Sequence, residues 1–122
     1  MTTSIRSLTE LERGAAQRAQ FPHAPENWTP QTALEVANAE GVMLTGEHWE
    51  VVRALQEYFF RHEPRERSMR EVHDALDEHF HAHGGRKYLY QLLPGGPVAQ
   101  GCRIAGLPPT AIAVDRGFGS VM

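Results

Sequence analysis

Residues 87–109 constrain the fold more than any other part of the sequence. They read KYLYQLLPGGPVAQGCRIAGLPP and hold an aromatic pair, a Pro-Gly-Gly-Pro turn and the single cysteine of the chain. Proline fixes φ and lacks a backbone N–H, whereas glycine adopts backbone angles that other residues avoid. The order predicts a short helix before Pro94, a sharp turn, and a second helix that begins at Pro97, carries Cys102 and ends at Gly106.

The rest of the chain is dominated by helical periodicity. Apolar residues spaced three and four apart, preceded by Ser or Thr at the N-cap, predict helices over residues 7–20, 29–41, 45–61 and 68–83. Residues 21–27 (FPHAPEN) contain two prolines and predict a flexible connector. The sequence therefore predicts a mainly α fold, an array of five or six short helices with at most a small β-meander or hairpin.

Two short stretches outside these helices are predicted to be extended. Residues 42–44 are expected to form a short extended apolar plug, and residues 111–114 could pair as a small strand. The predicted organisation is an N-terminal arm and linker over residues 1–27, a helical domain over residues 28–109 and a tail over residues 110–122.

Composition excludes several classes of protein. The 122 residues predict one domain, and a net charge of -3 does not suggest wholesale nucleic-acid binding. No apolar run approaches the roughly 20 residues that cross a bilayer, and the N-terminus lacks the apolar core of a signal peptide. A single cysteine excludes an internal disulfide framework and fits a reducing compartment, so a soluble cytoplasmic domain is expected.

Cys102 has two interpretations. As a functional thiol it could carry a sulfane sulfur or form a mixed disulfide, and the positive charges of Arg103, Arg86 and Lys87 would favour its thiolate. As a structural residue it would be a small buried hydrophobe in the middle of a helix, away from the activating N-terminal dipole. The frequency with which free cysteines are buried favours the structural interpretation.

Two other kinds of site are weaker. His79 and His83 lie four residues apart and could share a helix face, but no further ligand has the spacing of a known metal site, so no metal or other cofactor is expected. Residues 45–61 and 68–83 could form a helix-turn-helix, yet the second helix is acidic and should repel phosphate. No catalytic triad, phosphate loop or carboxylate pair is present, so catalysis by this chain alone is not supported.

Three blocks of the sequence, in this order, resemble the DsrC/TusE family of sulfur metabolism. They are EGVMLTGEHWEVVRALQEYF at residues 40–59, RKYLYQLLPGGP at residues 86–97 and CRIAGLPP at residues 102–109. The resemblance covers roughly residues 28–109, and it implies a helical array with a short β-meander. It also implies protein partners related to dissimilatory sulfite reductase or to the sulfur relay of tRNA thiolation.

The resemblance also implies where sulfur chemistry would occur and where this chain departs from it. DsrC members use one cysteine in the block matched by Cys102 and another at the penultimate position of a mobile arm, where this sequence has Val121. The Lys-Pro expected after the Leu-Pro is replaced by Pro109-Thr110, and the first 20 residues do not resemble the family's opening hairpin.

Three hypotheses follow. The first is a non-catalytic binding or regulatory module that docks on a sulfur-metabolism protein. Its supporting residues would be Arg86, Lys87, Tyr88, Arg103 and Pro108. The second is a sulfur carrier that holds a persulfide on Cys102 within a sulfurtransferase relay, and the third is a helix-turn-helix regulator that binds DNA.

Overall fold

The computed structural model describes residues 19–63 and 68–107. Within these ranges lie five α-helices and one 3-10 turn, His81–His83; the helices are α1 (Pro30–Ala39), α2 (Gly46–Arg61), α3 (Met69–His79), α4 (Gly85–Leu92) and α5 (Pro97–Ala105). The described residues contain no strand, and the predicted mainly α fold is confirmed. Most of the helix predicted over residues 7–20 and the strand predicted over residues 111–114 lie outside the described ranges. No helix in these ranges is long and apolar enough to cross a bilayer.

The helices begin where the N-cap signals predict. The Thr29 hydroxyl accepts a hydrogen bond from the Thr32 N–H at 3.2 Å, and the Ser68 hydroxyl accepts one from the Glu71 N–H at 3.0 Å. Each bond satisfies a backbone donor that the first turn of a helix leaves without a partner.

The N-terminal cap of helix α2 consists of two residues, of which the sequence predicts only Thr45. Thr45 is the N-cap as predicted, but the imidazole of His48 completes it, because its Nδ1 accepts from the Thr45 N–H at 3.1 Å. The other ring nitrogen lies 2.8 Å from the carbonyl oxygen of Leu92, to which it must donate. His48 is buried and thereby joins the start of α2 to the end of α4.

The helix predicted over residues 68–83 is shorter than expected. Helix α3 ends at His79, and Phe80 leaves helical geometry with its ring fully buried in the core. The chain then reverses through the 3-10 turn and Gly84, whose φ is 125°. The reversal is tight, because a Cβ on Gly85 would lie 2.6 Å from the Asp77 carboxylate. The helix ends early because Phe80 packs into the core and because the chain passes close to Asp77 at Gly85.

Helix α5 lies at the centre of the molecule. It packs against each of the other four helices, and only Ala99 and Arg103 on it are not buried. Its contact with α2 is close because residue 101 is glycine: a Cβ there would lie 2.7 Å from Cδ1 of Leu55. The helix ends as predicted at Gly106, which has the left-handed φ of 78°.

Residues 21–27, predicted as a flexible connector, are attached to the core at both ends. Phe21 and Trp28 are buried and their rings meet edge to face with centroids 5.0 Å apart. The indole N–H of Trp28 donates to the carbonyl of Ile104, at the end of α5, at 2.8 Å. The plug predicted over residues 42–44 is only partly correct, because Met43 is 84% exposed. An extended chain alternates its side chains, which explains why the residues on either side of Met43 are half-buried.

Candidate functional site around Cys102

The Cys102 thiol lies in the second half of α5 and belongs to the hydrophobic core. The residue is 2% exposed. Burial raises the pKa of the thiol to about 12, and the nearby charge of Arg103 opposes this shift without overcoming it. The thiolate is the nucleophilic form of cysteine, so the geometry disfavours reactivity at neutral pH.

Arg103, predicted to favour the thiolate, is committed to another partner. Its guanidinium binds the Glu40 carboxylate through two bonds, Nε to Oε2 at 2.7 Å and Nη2 to Oε1 at 2.9 Å. The bond from Arg103, followed by one from Gln100, lowers the pKa of Glu40 to about 2. The same pairing raises the pKa of Arg103. Arg103 therefore serves chiefly as a tie between α5 and the end of α1.

Gln100 extends this tie to the Pro-Gly-Gly-Pro turn. Its side chain is buried, its Nε2 donates to Glu40 Oε1 at 2.9 Å, and its Oε1 accepts from the Gly95 N–H at 2.9 Å. Neither Glu40 nor Gln100 is among the site residues that the sequence predicts. A weak signal was present, because Glu40 follows the last turn of α1, where the helix dipole disfavours a negative charge.

The remaining predicted site residues lie on α4 and beyond α5. Arg86 and Lys87 are exposed, and Arg86 Nη2 lies 3.9 Å from Asp74 Oδ1. Tyr88 is half-buried and stacks on His83 at 5.3 Å between centroids. Burial, followed by the charges of Glu47 and Glu50, raises the pKa of Tyr88. Pro108 lies outside the described residues.

The structure therefore divides the predicted residues into two groups. Cys102 is in the core, whereas Arg86, Lys87 and Arg103 present their side chains at the surface. Neighbours along a helix do not share a face, which is why Cys102 and Arg103 separate. The surface group could contact a protein, and the thiol is not part of it.

The histidine-rich segment does not assemble a metal site in the described part of the chain. No group of three or more His, Cys, Asp or Glu side chains there could hold an ion. His83 stacks on Tyr88, and His73 Nε2 lies 3.4 Å from the Tyr90 hydroxyl. Helix α3 exposes Glu71, Asp74 and Glu78, so the face that a helix-turn-helix would turn to DNA is acidic.

The fold and the site define a class of small helical protein built around a buried helix, α5, that carries the thiol. The chain matches the family described as "DsrC like protein" over residues 12–112 and belongs to that family. The resemblance drawn from the sequence blocks is thereby confirmed.

Named relatives give the family a biochemical context. The chain is 39% identical over 83 residues to the sulfurtransferase TusE of Salmonella typhimurium and 37% identical over 83 residues to that of Escherichia coli K12. Each match covers 66% of this chain and 74% of the relative. The NMR structure of Allochromatium vinosum DsrC is similar, with a TM-score of 0.55 and 36% identity over 67% of this chain and 73% of that one.

Proposed function

We propose that this protein is a non-catalytic docking module of sulfur metabolism. It binds a protein partner of a sulfurtransferase relay or of a sulfite-reductase type, and it regulates or competes with that partner's other interactions. The family and its sulfurtransferase relatives supply the sulfur context. The observation that carries the proposal is the burial of Cys102 in the core.

Burial acts against sulfur transfer in two ways. With a pKa of about 12, only about one thiol in 100,000 is a thiolate at pH 7. An added sulfur atom would also have to fit among closely packed neighbours, and overpacking of a core costs about 1–3 kcal/mol. Each effect favours a docking role for the protein over a sulfur-carrier role. A free thiol is typical of reducing compartments, so we also propose a cytoplasmic setting.

The proposed docking surface includes the exposed residues of α4 and the end of α5. Arg86 and Lys87 offer positive charge, and Lys87 makes no ion pair within the described residues. Tyr88 offers a half-buried aromatic edge, and Arg103, 48% exposed, offers the outer side of its guanidinium. Pro108 remains a proposed member of this surface.

The decisive experiment measures the intact mass of the protein after exposure to a persulfide donor and removal of the excess. Samples are treated folded and in denaturant, with Cys102→Ser as the matched control. We expect no added sulfur on folded wild type, one on the denatured wild type and none on the variant. One added sulfur on the folded wild type, with none on Cys102→Ser, would overturn the proposal and establish a carrier.

A second measurement tests docking itself. If the thiol is structural, Cys102→Ser should bind sulfurtransferase relay proteins as wild type does, whereas Lys87→Glu should bind them at least several-fold more weakly. A loss of binding in Cys102→Ser with its fold intact would contradict the docking proposal.

A further inference from the structure

An open groove lies between helices α2 and α3. Its volume is about 210 Å³, below the roughly 300–1,000 Å³ of small-molecule pockets and suited to one large apolar side chain. The walls that a ligand would touch are Ala54 and Tyr58 on α2 and Ala75 and His79 on α3, all half-buried or exposed. The floor beneath them consists of three buried side chains, Leu55, Val72 and Leu76.

The same eight-residue pattern forms both sides of the groove. Residues 50–57 read EVVRALQE and residues 71–78 read EVHDALDE, with Glu, Val, Ala, Leu and Glu at corresponding positions. In each helix the Val and the Leu are buried, whereas the Ala is half-buried and lines the groove. Because alanine has no side chain beyond Cβ, Ala54 and Ala75 leave open the space that longer side chains would fill.

Acidic side chains flank the groove on both helices. Each of the two alanines has a glutamate about one helical turn before it and another about one turn after it. Glu57 pairs with Arg61 at 2.9 Å. Within the described residues, Glu50, Glu71 and Glu78 are exposed and make no ion pair. The groove thus combines an apolar centre with uncompensated negative charge on both sides.

This combination selects among possible ligands. Nucleic acids and anionic lipids carry negative charge, which the flanking carboxylates would repel. A small neutral apolar molecule would fit the centre of the groove but would make no use of its charged flanks. An amphipathic helix with an apolar strip between Lys or Arg residues matches both features. The space between two helices is also a shape into which a third helix packs.

We propose that the groove between α2 and α3 binds one basic amphipathic helix of a protein partner. A large apolar side chain of that helix enters between Ala54 and Ala75, and its flanking Lys or Arg side chains pair with Glu50, Glu71 and Glu78. The groove shares no residue with the docking surface on α4 and α5, so it is a second binding surface of opposite charge. The inference does not rest on the function proposed above.

The test is a titration of the ¹⁵N-labelled full chain with a synthetic helical peptide of about 18 residues, or five turns. In this basic peptide, Leu recurs three and four residues apart between rows of Lys. We expect saturable NMR shifts at the amides of Ala54 and Ala75 and a Kd in the micromolar range at low salt. Absence of saturable binding would overturn the proposal.

Two control peptides separate the apolar contribution from the charge. The same peptide with Glu in place of Lys should bind at least about tenfold more weakly, because the flanks of the groove repel it. A peptide of identical composition with its Leu residues dispersed around the helix should also bind at least about tenfold more weakly, because it presents no apolar strip. Equal binding of the dispersed peptide and the basic peptide would refute a groove site.

A groove-filling variant places the binding in the groove. Ala75→Leu fills the open space and should weaken binding of the basic peptide at least about tenfold. Ala39→Leu, which puts the same side chain at the exposed end of α1, should leave binding unchanged. The Trp28 indole N–H signal, which reports the bond to Ile104, should be unchanged in both variants and shows that the fold is intact. Undiminished binding by Ala75→Leu would refute the proposal.

A charge variant tests the flanks. Replacing Glu50, Glu71 and Glu78 together by Gln should weaken binding of the basic peptide several-fold at low salt and reduce its salt dependence. Glu35→Gln, on the exposed face of α1, should have no effect. Unchanged affinity in the triple variant would refute the assigned charge complementarity.

Two measurements without peptide identify other occupants. A concentration-dependent dimer in sedimentation, abolished by Ala75→Leu, would assign the groove to a second copy of the chain. Shifts at the Leu8 and Leu11 amides in Ala75→Leu would assign it to the N-terminal segment of the same chain. Either result would overturn the partner assignment, whereas a monomer with unchanged signals at these two residues supports it.

Discussion

The Glu40–Arg103 tie gives the sharpest prediction about stability. Replacing Glu40 by Gln keeps the size and one acceptor oxygen but removes the charge that Arg103 and Gln100 bind. The pKa of Glu40 is lowered from 4.5 to about 2, and each pKa unit corresponds to about 1.4 kcal/mol. The full shift therefore corresponds to about 3 kcal/mol. Because Arg103 is 48% exposed, solvent screens the pair, and we expect a loss of about 1–2 kcal/mol at pH 7.

The sign of the pH dependence follows from the lowered pKa. The folded protein holds Glu40 ionised more strongly than the unfolded chain does, so the stabilisation is fully present above pH 4.5 and is lost as the pH falls towards 2. Wild type should therefore lose its advantage over Glu40→Gln between about pH 5 and pH 2. High salt should reduce the advantage at pH 7 as well.

The measurement is urea unfolding followed by circular dichroism at several pH values. Glu35→Gln is the matched control, because Glu35 lies with its side chain exposed on α1, the helix that Glu40 follows. It should change the free energy of unfolding by less than about 0.5 kcal/mol at every pH. A difference between wild type and Glu40→Gln that stays constant from pH 7 to pH 2.5 would refute the electrostatic explanation, since a packing effect does not titrate.

Two further substitutions test the packing of the central helix and the cap of α2. Gly101→Ala should destabilise the protein by about 1–2 kcal/mol in urea unfolding, because the new Cβ would lie 2.7 Å from Leu55. The control Gly46→Ala, which has open space around the new Cβ, should be neutral or stabilising. Equal effects of the two substitutions would argue against the close contact. His48→Ala should cost about 1–3 kcal/mol, because it removes the imidazole that completes the cap of α2 and also its bond to Leu92. An unchanged unfolding midpoint for His48→Ala would show that the imidazole bridge contributes nothing.

Local signals account for the part of the fold that the sequence predicts correctly. The N-caps Thr29 and Ser68 each accept from a backbone N–H three residues away, and Gly106 ends α5 through its own φ. Such interactions are visible in a short window of sequence. The predicted end of the helix over residues 68–83 is wrong because Phe80 packs into a core made by residues distant in sequence. That packing overrides the local preference for helix.

The interactions that build the site connect residues far apart in sequence. Glu40 and Arg103 are 63 residues apart, Gln56 and Ala105 are 49 apart, and Trp28 and Ile104 are 76 apart. No periodicity pairs such residues. A central position of α5 nevertheless requires such bonds, because the last carbonyls of a buried helix must accept hydrogen bonds from other elements. Trp28 and Gln56 provide them.

The role of Cys102 depends on which face of α5 it occupies. Read along the chain, Arg103 is its neighbour and suggests an activated thiol. In a helix, successive side chains diverge by about 100°, so a residue beside Cys102 in sequence points away from it. Ala99 and Arg103, four apart, form the less buried strip of α5, and Cys102 lies off that strip among core residues. The positive charge that would favour a thiolate therefore points to solvent and Glu40, while the thiol packs inside. The same helix thus separates a buried sulfur from an exposed charged surface, which favours docking over carriage.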